Sequence, residues 1–280
     1  MISIIICSRN IDISPELKEN IATTIGCEYE LIVIDNSTTK YSIFQAYNEG
    51  VLCAKGSVLC FMHDDVMFCT EDLGKIVEMH FEVDDHLGMM GFAGAHFMPS
   101  MPMYWHDSPF ISENNLTTRK GQTEECFSRE FFGDKTLVEV AAVDGLCFFV
   151  RADLFKKISF DEKTFTGFHM YDMDISFQVR EAGFKVCVCK DVLVEHFYDF
   201  NPSPKGLELF ENNMKKFYKK WSSCFPLVIG LEGVSDGMIV QLDSYVKRFL
   251  QQDESLQNIR KSKAYRLGKT ILKPIKMLKR

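Results

Sequence analysis

The sequence predicts an α/β fold: a mixed, mainly parallel sheet flanked by helices, followed by a helical C-terminal extension. Three observations predict it. Residues 2–7, 31–34 and 58–62 are short continuous apolar runs, rich in branched side chains and bounded by polar turn residues, the pattern of strands buried on both faces. Segments of helical periodicity separate them. After Pro204 the strand-like runs cease.

The elements follow in order. The first run leads into Ser8-Arg9-Asn10. Ser14-Pro15-Glu16 then reads as a helix start, with serine as cap and proline in the first turn, where a missing N–H breaks no helical bond. The second strand ends in Asp35-Asn36-Ser37, completing a βαβ unit. A helix across 41–54 and Gly56 precede the third strand, which ends in His63-Asp64-Asp65. In open parallel sheets ligands collect beyond the carboxyl ends of strands, so three polar triplets converge on one edge.

Residues 97–136 carry prolines, methionines, Trp105 and a polar stretch at 114–122, and read as an irregular insertion near that edge. Strands resume at 137–143 and 146–150, and a helix begins near Ala152. Another helix spans 172–182, ended by Gly183, before a strand at 185–189. Residues 207–221 and 238–250 are amphipathic helical patterns, and a third, over the last twenty residues, is broken by Pro274. The expected division is a domain over 1–203, a helical extension over 204–259 and a tail over 260–280.

With 280 residues, 46% of them hydrophobic, the chain builds a core without staples, and its ten cysteines never form a CxxC pair. Buried structural thiols are therefore expected in place of disulfides or a zinc cluster. No run approaches the ~20 apolar residues of a membrane span, and the first seven residues lack a basic leader, so a cytoplasmic location is expected. Charge is segregated. Of 32 bases, nine lie in residues 260–280, which hold no acid, leaving 23 bases against 39 acids in residues 1–259. An acidic body repels phosphate backbones, which argues against nucleic acid as a partner. In the tail, basic and apolar residues interleave at helical spacing, the pattern of an interfacial helix docked on an anionic inner membrane face; a solvated terminal helix is the alternative.

The pair Asp64-Asp65 carries the chemistry. Adjacent carboxylates after a buried strand repel each other while partly desolvated, and a divalent cation relieves both costs. Oxygen ligands suit Mg²⁺ or Mn²⁺, and the neighbouring His63 favours Mn²⁺. Solvated turn acids capping the next helix are the other reading.

These segments, in this order, resemble the family 2 glycosyltransferases of the GT-A, Rossmann-like fold over most of residues 1–200. The resemblance is carried by Ser8-Arg9-Asn10, Asp35-Asn36-Ser37, Asn48-Glu49-Gly50, Ala54-Lys55-Gly56 and His63-Asp64-Asp65-Val66. It continues through Asp144-Gly145 with Phe148-Phe149-Val150-Arg151, Tyr171-Asp172-Met173-Asp174-Ile175, Arg180-Glu181-Ala182-Gly183-Phe184-Lys185 and Val194-Glu195-His196. The chain departs from the family pattern at two positions: His63 stands where an aspartate usually opens the metal motif, and Tyr171 where a glutamate often precedes the base.

The resemblance implies an inverting transfer from a nucleoside-diphosphate sugar, with uridine or thymidine as base, to a hydroxyl of a glycan or lipid-linked glycan. It makes residues 1–203 the catalytic domain. Mn²⁺ or Mg²⁺ would be held by Asp65 with His196 and His63, and Asp172 would be the general base. Asp35 with Asn36 would meet the nucleotide base, Ser8 and Arg9 the base or phosphate, and Asp64 the donor.

Other roles are open from the residues themselves. Asp172 would serve as a helix N-cap, and His196 as a core histidine. Asp174 would support the helix terminus or a basic group, and Arg151 would anchor a strand end. Tyr104, Trp105 and His106 would face an acceptor sugar or pack locally. A sugar-nucleotide pyrophosphorylase shares this fold type and its metal-binding aspartate, although Ser8-Arg9-Asn10 is followed by no glycine-rich basic loop. A degenerate transferase acting as a binding subunit is the non-enzyme alternative that His63 raises.

Overall fold

The computed structural model describes residues 1–127, 135–197 and 203–261. Most of the tail expected at 260–280 lies outside them. The chain opens with β1 (Ile2–Ser8), α1 (Pro15–Thr24), β2 (Tyr29–Asp35), α2 (Ile43–Cys53) and β3 (Val58–Met62). Both helices start on the caps their sequences supply. Ser14 Oγ accepts from Leu17 N, and Ser42 with Gln45 forms a reciprocal capping box, each satisfying amide groups that have no intrahelical partner.

Next come β4 (Val66–Phe68), α3 (Leu73–Val83), β5 (Leu87–Gly91), β6 (Ala93–Ala95) and β7 (Phe97–Met98). They are followed by β8 (Ile111–Arg119), β9 (Gln122–Phe127), β10 (Leu137–Glu139), β11 (Ala142–Val143) and β12 (Cys147–Arg151). The described chain finishes with α4 (Tyr171–Glu181), β13 (Lys185–Cys189), β14 (Val194–Phe197), α5 (Pro204–Lys220), β15 (Leu227–Val228) and α6 (Asp236–Lys261).

Seven strands form the main sheet in the order β10-β13-β5-β12-β3-β1-β2. It is mixed. β1 pairs in parallel with β2 and β3, and β5 with β13, whereas β12 runs antiparallel between β3 and β5. A second sheet, β11-β6-β8-β14-β4, stands at the edge where the polar strand ends gather.

Strand alternation fills two cores. Ile5, Leu59 and Phe61 face a cluster with Phe44 and Tyr47 of α2. Ile4, Ile6, Cys60 and Met62 face Leu17 and Ile21 of α1 and Val77 and Phe81 of α3. Gly50 is where α2 meets β1. A Cβ there would lie 2.3 Å from Ile5 Cγ2, so glycine lets the helix come that close. Two residues earlier, Asn48 Nδ2 donates to Phe160 O while Phe160 N donates to Asn48 Oδ1, pinning the loop that leads to α4.

Several local expectations are corrected. β2 is half-buried, not fully buried, because it is the sheet edge and pairs only with β1. Within the segment read as irregular, residues 111–127 form the β8–β9 hairpin, and β8 joins the second sheet through β6 and β14. Strand structure also continues past Pro204, since β15 pairs antiparallel with β7. Phe217, Tyr218 and Trp221, at the C-terminal end of α5, pack into the same cluster as Tyr47 and Tyr171, anchoring the extension to the main core. No disulfide forms among the described residues; Cys60 and Cys147 sulfurs lie 3.8 Å apart as buried thiols. No helix among them is long and apolar enough to cross a membrane.

Candidate active site

The three polar strand ends meet as the sheet topology requires. β1 lies between β2 and β3 in parallel, so Ser8 sits opposite Asp35 and beside the exit of β3 into His63, Asp64 and Asp65. Ser8 is buried and donates to Asp64 Oδ2 at 2.6 Å, tying the end of β1 to the acidic motif. Arg9 and Asp35 are exposed at this rim. The Ser37 hydroxyl, and then Ser37 N, which donates to Asp35 Oδ1 at 2.9 Å, hold the Asp35 carboxyl below its ordinary value. Asn36 is committed locally: its side chain both donates to Tyr41 O and accepts from Tyr41 N, closing the loop before α2.

Asp65 turns the other way. Its carbonyl accepts from Phe197 N, and Val66 pairs with His196 across β4 and β14, which brings the imidazole of His196 to the Asp65 carboxylate. His196 Nε2 lies 3.4 Å from Asp65 Oδ1, and His63 Nδ1 lies 3.9 Å from the same oxygen. That oxygen is buried and makes no hydrogen bond. Burial alone would raise the Asp65 carboxyl, but the two imidazoles outweigh it and hold it below its ordinary value. Burial, against a weaker opposing effect of Asp65, pushes His63 down to about 4, so its ring is neutral.

One ligand atom from each of His63, Asp65 and His196 lies within 4.8 Å of the others. A first-row ion bonds imidazole nitrogen at about 2.1 Å, so its ligand atoms are at most about 4.2 Å apart. Small side-chain rotations close the difference. The buried Asp65 oxygen and the His63 and His196 nitrogens beside it fit a divalent transition ion.

The start of α4 adjoins these residues, with Tyr171 Oη 2.5 Å from His63 Nε2. Met170 takes a left-handed conformation (φ 71°), rare for a residue with a side chain, to turn the chain into the helix. Tyr171 and Asp172 follow, both buried. The Asp172 carboxyl is 4% exposed and is pushed up to about 7, first by burial and then by the charge of Asp144. Backbone N–H groups of the first turn and of Gly145 act in the opposite direction. Asp144 is itself raised by burial and lowered by His196, which links the two halves of the site electrostatically. The N-cap position belongs to Met170, so capping does not account for Asp172.

Asp174, 1% exposed, faces away and accepts from Trp221 Nε1 and Lys220 Nζ, both at 2.8 Å. Arg151 donates to the Phe81, Asp84 and Leu87 carbonyls, a strand-end anchor. Trp105 is a core ring at 3% exposure whose indole N–H acts to lower the Asp144 carboxyl, and Tyr104 packs edge-on against Phe210. His106 remains exposed, 3.9 Å from Glu113.

Two members of the site were not assigned roles from the sequence. Asp144 had one signal, its place before Gly145; the contact of Tyr171 with His63, at 2.5 Å, had none beyond both being departures from the family pattern.

No curated protein matches the sequence. Among solved structures the chain is similar to GalNAc-T7 crystallised with UDP, GalNAc and Mn²⁺, with a TM-score of 0.51 and 13% identity over 80% of this chain and 49% of that one. It is also similar to residues 1–349 of S. aureus TarS in complex with UDP-GlcNAc, with a TM-score of 0.44 and 14% identity over 71% of this chain and 59% of that one. The chain thus spans about half the length of the GalNAc-T7 chain, and at these identities the likeness is one of fold. A family model matches residues 3–221, which hold every strand end and side chain assembled at this edge, and the chain belongs to the glycosyltransferase-like family.

Proposed function

We propose that the chain transfers a sugar from a nucleoside-diphosphate sugar, UDP- or dTDP-linked, to a hydroxyl of a glycan or lipid-linked glycan, with inversion and with Mn²⁺ or Mg²⁺. The observation that supports this reading is a His63–Asp65–His196 donor set in contact, through the Tyr171 hydroxyl, with the start of α4, where the buried Asp172 carboxyl is held near neutrality. The presence of UDP and Mn²⁺ in the GalNAc-T7 structure supports it by fold analogy.

The residues divide the work by chemistry. His63, Asp65 and His196 would hold the cation, which when bound offsets the negative charge that grows on the departing nucleoside diphosphate. Asp64, oriented by Ser8, would meet the donor, and Asp35 and Arg9, exposed at the rim, would contact the nucleotide base or phosphate. Asp172 takes the proton from the acceptor hydroxyl as that oxygen attacks the anomeric carbon from the face opposite the leaving group. A base with a pKa near the working pH combines a useful ionised fraction with proton affinity.

Residues 260–280 would dock the enzyme on an anionic membrane surface, where a lipid-linked acceptor resides. Exposed Met238, Tyr245 and Phe249 on α6, the helix leading toward this segment, support that reading.

The test is donor turnover, followed as release of nucleoside diphosphate in the presence of Mn²⁺. Asp172→Asn is expected to lower kcat by about 10²–10⁴-fold with donor binding retained, and Asp65→Asn to weaken metal-dependent donor binding. Wild-type turnover in both variants would refute the assignment, and release of pyrophosphate from a nucleoside triphosphate and a sugar phosphate would favour the pyrophosphorylase.

A further inference from the structure

The two positions at which the chain departs from the family pattern touch each other. Tyr171 Oη lies 2.5 Å from His63 Nε2 and 3.0 Å from Gly145 O. We propose that Tyr171 is a positioning residue for the cation site, holding His63 in the tautomer and orientation that present Nδ1 to Asp65 and His196. The proposal rests on the metal-assisted reading above.

The argument is one of hydrogen-bond direction. A backbone carbonyl can only accept, so the single hydroxyl hydrogen of Tyr171 is directed at Gly145 O. Toward His63 the same oxygen then offers a lone pair, and Nε2 must carry the hydrogen. A neutral imidazole has one N–H, which leaves the lone pair on Nδ1. Nδ1 is the nitrogen that faces Asp65 Oδ1. An outer hydrogen-bond partner of this kind fixes both ring orientation and ligand atom in metal-binding histidines.

The tyrosine is itself held rigidly. Its ring packs edge-on against Phe44 and Tyr47 and at a tilt against Phe168, whose ring also lies tilted against His63. Gly145 completes the fit: a Cβ there would come within 2.2 Å of the hydroxyl, so no other residue leaves room for Tyr171 to reach both partners. His63, Gly145 and Tyr171 therefore form one unit drawn from three separate parts of the chain. Two histidines and one carboxylate as donors also favour Mn²⁺ over Mg²⁺, because imidazole suits transition ions and Mg²⁺ prefers oxygen.

The experiment uses the full chain stripped of metal. Long-range ¹H–¹⁵N spectra of the histidine rings, with the His63 signals assigned through His63→Gln, are expected to show only the Nε2–H tautomer at His63 in the wild type. An Nδ1–H ring there would overturn the proposal without recourse to any Tyr171 variant. Calorimetric titration with Mn²⁺ alone is expected to show about 10- to 100-fold weaker binding in Tyr171→Phe, and no further loss when that change is added to His63→Gln. If His63→Gln weakens Mn²⁺ binding while Tyr171→Phe leaves both affinity and tautomer unchanged, the positioning role is overturned and the metal site stands. If neither His63→Gln nor Asp65→Asn alters Mn²⁺ binding, the metal site and the role of Tyr171 fall together.

Discussion

Asp172 is a carboxyl that the fold makes reluctant to ionise. Burial and the nearby charge of Asp144 raise it from an ordinary 3.8 to about 7. As a base it must be ionised, so the acidic limb of the pH–rate profile is expected to rise through about pH 7. The same shift has a signed effect on stability. Between its ordinary value and about 7 the folded protein binds more protons than the unfolded chain, so stability falls as pH rises across that window. In metal-free protein Asp172→Asn should remove a decline of roughly 3–4 kcal/mol at most, read as a melting temperature that depends less on pH between 4 and 8. An unchanged pH dependence would show that Asp172 ionises normally. At this scale the sequence named Asp65, His196 and Asp172 from motif positions, but the raised pKa was not legible, because Asp144 lies 28 residues earlier and meets Asp172 only through the fold.

Elements, not single residues, set the geometry of the site. The join of α4 to α5 is an ion pair in which Lys220 Nζ reaches both Asp174 and Asp161 at 2.8 Å, with Asp174 almost wholly buried. Removing one partner of a buried pair leaves an uncompensated charge, at a cost of about 3 kcal/mol or more. Lys220→Met is therefore expected to lower the urea midpoint clearly, and adding Asp174→Asn to recover part of the loss; additive losses would contradict the coupling. The strands β1 and β3 were legible because both faces are buried and their sequences are continuously apolar. The half-buried edge position of β2 was not, since an edge strand and an inner strand can carry the same apolar run. The β8–β9 hairpin was hidden by its polar composition, Ser112 through Thr118, whose strand character comes from pairing with β6 and β14. The direction of β12 is likewise a property of its neighbours, not of its own residues.

As a whole, the molecule is an acidic body with a basic terminus, and the described part of α6 leads toward that terminus with Met238, Tyr245 and Phe249 exposed. Each base near an anionic surface contributes about 1 kcal/mol, which would suffice for the proposed peripheral docking by residues 260–280. The intact chain should therefore float with vesicles containing phosphatidylserine and fail to float with neutral ones, and a chain ending at residue 259 should float with neither. Equal failure of both forms on anionic vesicles would remove the membrane from the account.

The central claim, a nucleotide site completed by a cation on Asp65, is tested most directly by thermal melting with UDP or dTDP, with Mn²⁺ or with EDTA. A ligand at 100 times its Kd stabilises the folded state by about 2.7 kcal/mol, several degrees for a chain of this size. The predicted result is a shift for the wild type only when nucleotide and Mn²⁺ are both present, and little or none for Asp65→Asn. An equal shift in EDTA, or in Asp65→Asn, would contradict it.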